Sequence, residues 1–175
     1  MRIGFGYDAH RLKQGRKCIL CGVEVPSEFG PDGHSDADVP IHALMDALLG
    51  ALSLGDIGAH FPDSDDKWQM ADSIELLKIV YDMVRSKGYC LGNTDITIVL
   101  ESPQLSQYIT QMRSRVADAL GVDIGRISVK ASTEEKMGFT GDGTGMSSTA
   151  VVLLEPEGDC SVGTPKTAFL KLSKP

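Results

Sequence analysis

Acidic and imidazole side chains recur at intervals of four residues within the segment 33–58. Asp38, His42 and Asp46 would lie on one stripe of a helix, each one turn beyond the last. The other positions from 41 to 52 are apolar almost all round, which predicts a buried helix. Because an unpaired charge is costly to bury, the stripe should face a ligand, a metal ion or a hydrogen-bonded network.

Two further candidate metal ligands stand near the amino terminus. Asp8 and His10 are separated by one residue in a segment of β-strand character, so both side chains project from the same face. Together with His42 they offer an Asp/His/His set, which would give zinc three protein ligands and leave a fourth position open. An open position is typical of a catalytic zinc site. For Asp8 or His10 alone, a polar residue in a surface turn is the alternative interpretation.

Two polar loops could supply further ligand groups. Residues 56–72 are rich in acids and contain Gly and Pro, and long loops within compact domains are usually functional. A solvated acidic turn is the alternative, above all at Asp65 and Asp66. Residues 130–136, Lys-Ala-Ser-Thr-Glu-Glu-Lys, follow a predicted strand, where α/β sheets usually carry their ligand groups. A surface turn would have the same composition.

Some familiar motifs are present only in part. Gly4 and Gly6 with Ala9 resemble a dinucleotide-binding fingerprint, but no helical pattern follows them. The glycine-rich loop 138–145 lacks the Gly-Lys-Ser/Thr ending of a phosphate-binding P-loop. Cys18 and Cys21 form one C-x-x-C pair without a second, so packing in a strand is favoured over zinc or redox chemistry.

The candidate residues are distributed over alternating strands and helices. Extended patterns predict a hairpin or two neighbouring strands at 2–8 and 18–23, and further strands at 94–100, 127–132 and 147–154. Helical patterns predict helices from about residue 38 to Gly55 or Gly58, from 72 to 87 and from 106 to 120. The order β-β-α-α-β-α-β-β predicts an α/β fold, a mixed sandwich whose helices pack on one mixed sheet. We expect a single domain over residues 1–155 and a carboxyl-terminal tail over 156–175.

Length and charge restrict the possible partners. With 175 residues, 42% of them hydrophobic, the chain can bury one sizeable core. The net charge of −7 argues against nucleic acid or an anionic membrane as a partner, and an anionic ligand would need cations to bind. No apolar run reaches the ~18 residues of a membrane span, and the first residues lack a signal-peptide core. We therefore expect a cytoplasmic location.

Four motifs in fixed order resemble those of a known family. They are Gly-Phe-Gly-Tyr-Asp-Ala-His at 4–10, Gly-His-Ser-Asp-Ala-Asp at 33–38 continued by His-Ala-Leu-Met-Asp at 42–46, Gly-Asp-Ile-Gly at 55–58 followed by Phe-Pro-Asp at 61–63, and Lys-Ala-Ser-Thr-Glu-Glu-Lys-Met-Gly-Phe-Thr-Gly at 130–141. Over residues 1–155 the chain resembles the 2-C-methyl-D-erythritol 2,4-cyclodiphosphate synthase family of the non-mevalonate isoprenoid pathway.

The resemblance implies a phosphorus–oxygen lyase. Such an enzyme converts 4-diphosphocytidyl-2-C-methyl-D-erythritol 2-phosphate into the cyclic diphosphate and releases CMP, on a homotrimer whose active sites lie between neighbouring subunits. By this likeness Asp8, His10 and His42 would bind Zn²⁺. Glu135 would help to hold a second divalent ion, Mg²⁺ or Mn²⁺, on the diphosphate of the substrate.

The resemblance also implies which residues contact the substrate. His34 and Thr133 would stabilise the transition state, and Asp38 would support the loop that carries His34. Residues 100–106 and 132–135 would form a cytidine and diphosphate pocket supplied by the adjacent subunit. The full set of implied substrate-binding residues is Asp8, His10, His34, Ser35, Asp46, Asp56, Ile57, Gly58, Phe61, Pro62, Asp63, Ser64, Asp65, Leu100, Pro103, Gln104, Leu105, Ser106, Ala131, Ser132, Thr133, Glu134, Glu135, Phe139 and Asp142.

Two positions depart from the family pattern. Gln104 stands where many relatives carry a lysine, and Asp142 where many carry an arginine. That arginine is associated with an isoprenoid diphosphate on the trimer axis, which an aspartate would repel.

Two other functions fit the same metal ligands. A metal-dependent phosphohydrolase could use the open zinc position to activate water. A non-catalytic trimeric zinc-binding protein would use the metal only to stabilise its structure.

Overall fold

The computed structural model describes residues 1–62, 65–68 and 71–159. Its strands are β1 (Arg2–Gln14), β2 (Cys18–Leu20), β3 (Val23–Val25), β4 (Phe29–Pro31), β5 (Tyr89–Val99), β6 (Ile127–Ser132) and β7 (Gly145–Pro156). Its α-helices are α1 (Val39–Ala51), α2 (Ile57–His60), α3 (Ser73–Ser86), α4 (Ile109–Leu120) and α5 (Gly138–Gly141). Short 3-10 turns lie at Asp66–Trp68, Ile124–Arg126 and Glu157–Asp159.

One mixed sheet with the strand order β4-β1-β7-β5-β6 forms the centre of the fold. β7 is antiparallel to both β1 and β5, whereas β6 runs parallel to β5. β2 and β3 form a separate two-stranded sheet. The predicted α/β class with helices on one mixed sheet is confirmed. Among the described residues, no helix is both long and apolar enough to cross a bilayer.

The predicted pairing of the first two extended segments is wrong. Residues 18–23 do not pair with β1, because β2 instead turns back on β3 through Cys21 and Gly22, which both have positive φ. β1 finds its partners in β4 and in β7, about 140 residues further along the chain. The alternation of apolar and polar residues identifies a strand but does not identify its neighbour.

Helix α1 is buried on nearly all sides, as its apolar sequence predicts. Asp38 is its N-cap and accepts from the N–H of Ile41 at 3.3 Å, and Pro40 lies in the first turn. Along the helix, Asp46 is only half-buried and Gly50 is exposed. The helix ends at Ala51, earlier than the glycines expected to stop it.

Helix α1 lies directly on the backbone of β1. A Cβ atom on Gly6 would lie 2.0 Å from the carbonyl oxygen of Ala43, and one on Gly4 would lie 1.8 Å from that of Ala47. Glycine is therefore required at both positions for the helix to approach the strand this closely. This contact sets the separation between the residues of β1 and those of α1.

Helix α3 covers the side of α1 that faces away from the sheet. Asp72 is its N-cap and accepts from the N–H of Ile74 at 2.8 Å, and the helix ends at Ser86 before Gly88, which has a φ of 77°. The predicted helix at 106–120 begins slightly later, as α4. The glycine-rich stretch after β6 contains the short helix α5, where only a loop was predicted.

The opposite face of the sheet carries large apolar side chains that the described part of the chain leaves uncovered. Ile3, Phe5 and Tyr7 alternate along β1 and are 73%, 64% and 51% exposed. Val151, the partner of Phe5 on β7, is 44% exposed. Such a contiguous apolar stripe is unusual on the surface of a monomer.

Candidate metal centre and substrate cavity

Asp8, His10 and His42 converge as the sequence predicted. Each offers one ligand atom, and these atoms all lie within 4.8 Å of one another. Asp8 Oδ2 lies 3.3 Å from His10 Nε2 and 3.0 Å from His42 Nδ1. Asp8 and His10 come from the helix-facing side of β1, while His42 comes from the first turn of α1. The close approach of α1 to β1 therefore assembles the cluster.

The backbone fixes the proton on His10. Its Nδ1 atom lies 2.6 Å from the carbonyl oxygen of Asp32, which can only accept a hydrogen bond. Nδ1 therefore carries the proton and donates it, so that in the neutral ring Nε2 presents a lone pair toward Asp8. The hydrogen bond to Asp8 raises the pKa of His10, and burial opposes this effect.

The Asp8 carboxylate remains ionised between the two imidazoles. Burial alone would raise its pKa, but the hydrogen bonds with His10 and His42 outweigh burial and hold the pKa of Asp8 well below its usual range. A carboxylate oxygen and two imidazole nitrogens at this separation fit a divalent zinc-type ion that keeps one position for an outside ligand. The residues present therefore suit the metal that the sequence implied.

The other two members of the predicted stripe do not join this cluster. Asp38 is fully buried and accepts from the N–H groups of Cys21 at 2.8 Å and Gly22 at 2.6 Å, so it anchors the β2–β3 turn. Our prediction that it supports the loop carrying His34 is corrected accordingly. Burial raises the pKa of Asp38 to about 7, and the two N–H groups partly offset that effect. Asp46 accepts from the N–H of Ile57 at 2.8 Å.

A cavity of about 510 Å³ opens beside the metal ligands. Many of the predicted substrate-binding residues line it, together with the metal ligand His42: Asp8, His10, His34, Ser35, His42, Ile57, Gly58, Phe61, Pro62 and Asp65. Asp56 does not line it but caps α2, accepting from the N–H of Ala59 at 2.9 Å. Asp63 and Ser64 lie outside the described residues.

Several cavity residues were missed by the sequence analysis. Trp68 packs edge-on against Phe61, with the ring centroids 5.0 Å apart. A lone tryptophan in an acidic loop was a usable signal, and so was Met45, which follows His42 by almost one helical turn. The remaining missed lining residues, Gly33 and Leu76, gave no signal of their own.

The predicted substrate-binding residues within 100–106 and 131–135 form a second cluster, away from the metal ligands. Asp8, Ser148, Ile98 and Ala131 are aligned across four adjacent strands. Three strand spacings separate Asp8 from Ala131 by about 14 Å. Within one chain, the metal ligands and the end of β6 are therefore too far apart to touch the same phosphate.

The second cluster is assembled at the carboxyl ends of the parallel strands β5 and β6. Leu100 donates its N–H to the carbonyl of Ser132 at 3.1 Å, and Thr133 donates its hydroxyl to Glu135 Oε1 at 2.9 Å. Leu105 is buried. The rest of this set is exposed or half-exposed: Pro103, Gln104, Ser106, Ala131, Ser132 and Glu134. Phe139 and Asp142, also exposed, lie outside this cluster, because the ring of Phe139 lies against Gly145 beside the backbone of His10 and Asp142 ends α5.

Comparison with known proteins agrees with the geometry. The model of the YgbB family matches residues 1–155. The chain belongs to the YgbB family.

Similar YgbB family proteins carry one enzymatic name. A protein of Trichlorobacter lovleyi named 2-C-methyl-D-erythritol 2,4-cyclodiphosphate synthase is 55% identical over 90% of this chain and 100% of its own length. The solved structure titled bifunctional IspDF from Campylobacter jejuni is 44% identical with a TM-score of 0.86, covering 89% of this chain and 42% of that chain. A solved cyclodiphosphate synthase titled as bound to CDP is 36% identical with a TM-score of 0.82, covering 88% of this chain and all of that chain.

Asp142 has a local structural partner. Asp142 Oδ1 accepts from the backbone N–H of Thr144 at 2.9 Å and from its hydroxyl at 2.6 Å. The hydrogen bond from the hydroxyl, and to a smaller extent the one from the backbone N–H, holds the pKa of Asp142 below its usual range. In this YgbB family chain the side chain thus closes the turn before β7 and stays negatively charged.

Proposed function

We propose that this chain converts 4-diphosphocytidyl-2-C-methyl-D-erythritol 2-phosphate into 2-C-methyl-D-erythritol 2,4-cyclodiphosphate with release of CMP. The single observation that carries the proposal is the convergence of Asp8, His10 and His42 at the wall of the cavity. The name shared by the similar proteins and the CDP in a related solved structure support the same substrate class. We also propose that the enzyme acts in the cytoplasm.

The protein has to bring two anions together, because a phosphate oxygen attacks a phosphorus atom within a diphosphate. Bound to Asp8, His10 and His42, Zn²⁺ would polarise a β-phosphate oxygen, and Mg²⁺ or Mn²⁺ held by Glu135 would neutralise charge on the diphosphate. A chain with a net charge of −7 has little other means of attracting such a substrate. The attacking phosphate is already ionised near neutral pH, so a separate general base is unnecessary.

The remaining contribution of the chain is positioning, because ring closure within one molecule depends on its folding. His34 and Ser35 line the cavity next to the metal ligands and would hold the attacking phosphate, with His34 stabilising the transition state. Helix α2 contributes Ile57 and Gly58, which would contact the erythritol portion. The ring of Phe61 would exclude water on the far side.

A homotrimer would complete the site. The end of β6, with Thr133 and Glu135, lies about 14 Å from Asp8 in the same chain, so a neighbouring subunit would have to supply these groups. The exposed stripe of Ile3, Phe5 and Tyr7 supplies a surface that a second copy would cover. In this arrangement residues 100–106 and 132–135 of one subunit would bind the cytidine and diphosphate at the metal site of the next, and Thr133 would stabilise the transition state.

Phosphorus NMR of the purified protein with this substrate, zinc and magnesium tests the reaction. We expect CMP and a cyclic diphosphate, and we expect both to disappear with His42→Ala. His60→Ala is the matched control, because His60 hydrogen-bonds the carbonyl of Leu54 and is not a member of the metal cluster. Release of free phosphate or of an open diphosphate would instead establish a phosphohydrolase. If the protein binds zinc but does not turn over the substrate, the result would support a non-catalytic zinc-binding protein.

Sedimentation analysis tests the assembly separately. We expect a trimer for the wild type and dissociation for Phe5→Asp, which adds a charge to the exposed stripe. A monomeric wild type that still turns over substrate would refute the shared site.

A further inference from the structure

His42 presents its two ring nitrogens to different surroundings. Nδ1 lies 3.0 Å from Asp8 Oδ2, on the metal side of the ring. Nε2 lies 3.1 Å from Ser73 Oγ, on the side facing the start of α3. A second hydroxyl, Ser35 Oγ, is 3.2 Å from the same Nε2 atom. Which nitrogen can bind a metal depends on whether these hydroxyls donate a hydrogen bond to Nε2 or accept one from it.

Ser73 has a stronger acceptor than His42 within reach. Its Oγ atom lies 2.5 Å from Asp36 Oδ1, and its backbone N–H donates to Asp36 Oδ2 at 3.0 Å. The Asp36 oxygen accepts in this contact, so the single hydroxyl proton of Ser73 belongs to the hydrogen bond with Asp36. The oxygen of Ser73 therefore turns a lone pair toward His42, and Nε2 has to supply the proton.

Ser35 is compatible with the same proton position. Its hydroxyl oxygen already accepts from the backbone N–H of Ala37 at 3.1 Å, and a second lone pair remains for the Nε2 proton of His42. Two acceptors thus share one donor, which also restricts rotation of the ring.

We infer that Asp36 and Ser73 position His42 for metal binding by holding the proton on Nε2, which leaves the lone pair on Nδ1 beside Asp8. Ser73 is fully buried and does not line the cavity, so it acts through His42 and is a positioning residue. The arrangement parallels the hydrogen bond between His10 and the carbonyl of Asp32, with a side-chain pair in place of the backbone. The inference deepens the proposed function and rests on its metal site.

Zinc affinity without substrate tests the inference, measured by competition with a chromophoric chelator. We expect Ser73→Ala to bind zinc about 10- to 100-fold more weakly than the wild type, the usual effect of losing a group that orients a metal ligand. The matched control is Asp72→Ala, which removes the N-cap of the same helix without touching His42. Asp36 also accepts from the backbone N–H groups of Ser73 and Asp38, so Ser73→Ala, which leaves both contacts in place, is the variant that isolates the hydroxyl.

A spectroscopic signature separates this role from general loosening of the helix. In zinc-loaded protein with ¹⁵N-labelled histidine, we expect His42 Nε2 to carry a slowly exchanging proton in the wild type and in Asp72→Ala, and a rapidly exchanging one in Ser73→Ala. Equal zinc affinities of wild type and Ser73→Ala would overturn the inference alone, as would equal weakening by Asp72→Ala. A wild type that binds no zinc would overturn the metal site itself.

Discussion

The side chain of His10 donates from Nδ1 to the backbone carbonyl of Asp32, at 2.6 Å. This contact orients one metal ligand by means of the loop that follows β4. The loop is itself held by Arg16, whose guanidinium donates to the carbonyls of Gly33 at 3.0 Å and Ser35 at 3.2 Å. The half-buried Arg16 therefore supports the loop that orients His10 and that contributes Gly33 and Ser35 to the cavity wall.

Arg16→Met is expected to loosen this loop while keeping the length of the side chain. Leaving the carbonyls without their donor should cost about 1–3 kcal/mol of unfolding free energy and about tenfold in zinc affinity. Urea denaturation and chelator competition measure the two effects. The control is Lys13→Met: Lys13 lies 3.5 Å from Asp32 Oδ2 with 62% of its side chain exposed, so its removal should cost less than about 0.5 kcal/mol. Equal effects of the two substitutions would contradict the role of Arg16.

The metal-free protein should lose stability as the pH rises above 6.5, the ordinary pKa of histidine. Because Asp8 raises the pKa of His10 above its ordinary 6.5, the contribution of the protonated ring is complete below that pH and disappears as the pH passes the raised value. Asp8 stays ionised throughout, since its own pKa is lowered. Thermal unfolding with a chelator present, from about pH 6 to pH 9, measures the decline. Asp8→Asn should flatten it, and a decline of unchanged size would disprove this origin.

Asp46→Ala should weaken substrate binding and leave the metal in place. Its carboxylate holds the first N–H of α2, at Ile57, and α2 forms one wall of the cavity with Ile57 and Gly58. We expect KM to rise about tenfold, the equivalent of one lost hydrogen bond to a charged group, with zinc affinity unchanged. Asp46→Asn keeps an acceptor oxygen and should recover most of the loss. Zinc affinity that falls in parallel with KM would show that Asp46 supports the metal site instead.

Gly6→Ala should damage both fold and site, whereas Gly50→Ala should stabilise the chain. A Cβ on Gly6 meets the carbonyl oxygen of Ala43 at 2.0 Å, so α1 must move away from β1, at a cost of at least about 3 kcal/mol. On Gly50 the nearest atom is 3.9 Å away, and replacing a helical glycine should add about 0.5–1 kcal/mol. Denaturation midpoints compare the two, and zinc binding should be lost only for Gly6→Ala.

Local pattern was sufficient where a single element carries the information. The dense apolar run around His42 predicted a buried helix, and the spacing of Asp8 and His10 predicted two side chains on one face of a strand. Their meeting with His42 was also predicted, because each buried polar group needs a partner. What the stripe did not reveal is that Asp38 binds the β2–β3 turn and Asp46 the start of α2, since a carboxylate that binds a neighbouring turn has the same spacing as one that faces a ligand.

The sequence did not predict which strands pair when they are far apart along the chain. The partner of β1 is β7, at the other end of the domain, and only the sheet register shows that Ala131 lies three strands from Asp8. The resemblance to a family already assigned residues 100–106 and 132–135 to the adjacent subunit, and the register gives the distance that separates them from Asp8 within one chain. Trp68 was missed although a lone tryptophan in an acidic loop was a usable signal, because its ring reaches the cavity by packing against Phe61, a contact that the spacing of the two residues does not show. The assignment of individual substrate contacts, including His34 and Thr133, remains a prediction.

The contact between glycine backbone and helix backbone has a consequence for how the site tolerates change. At Gly4 and Gly6 the backbone of β1 contacts the backbone of α1 directly. The distance between Asp8 and His42 is therefore set by backbone contacts and not by the side chains that fill the interior. Substitutions among the apolar residues of α1 can then alter the volume and stability of the interior while the ligand spacing holds. The geometry of the metal ligands is thereby protected from sequence changes in the core, and substitution of either glycine would remove that protection.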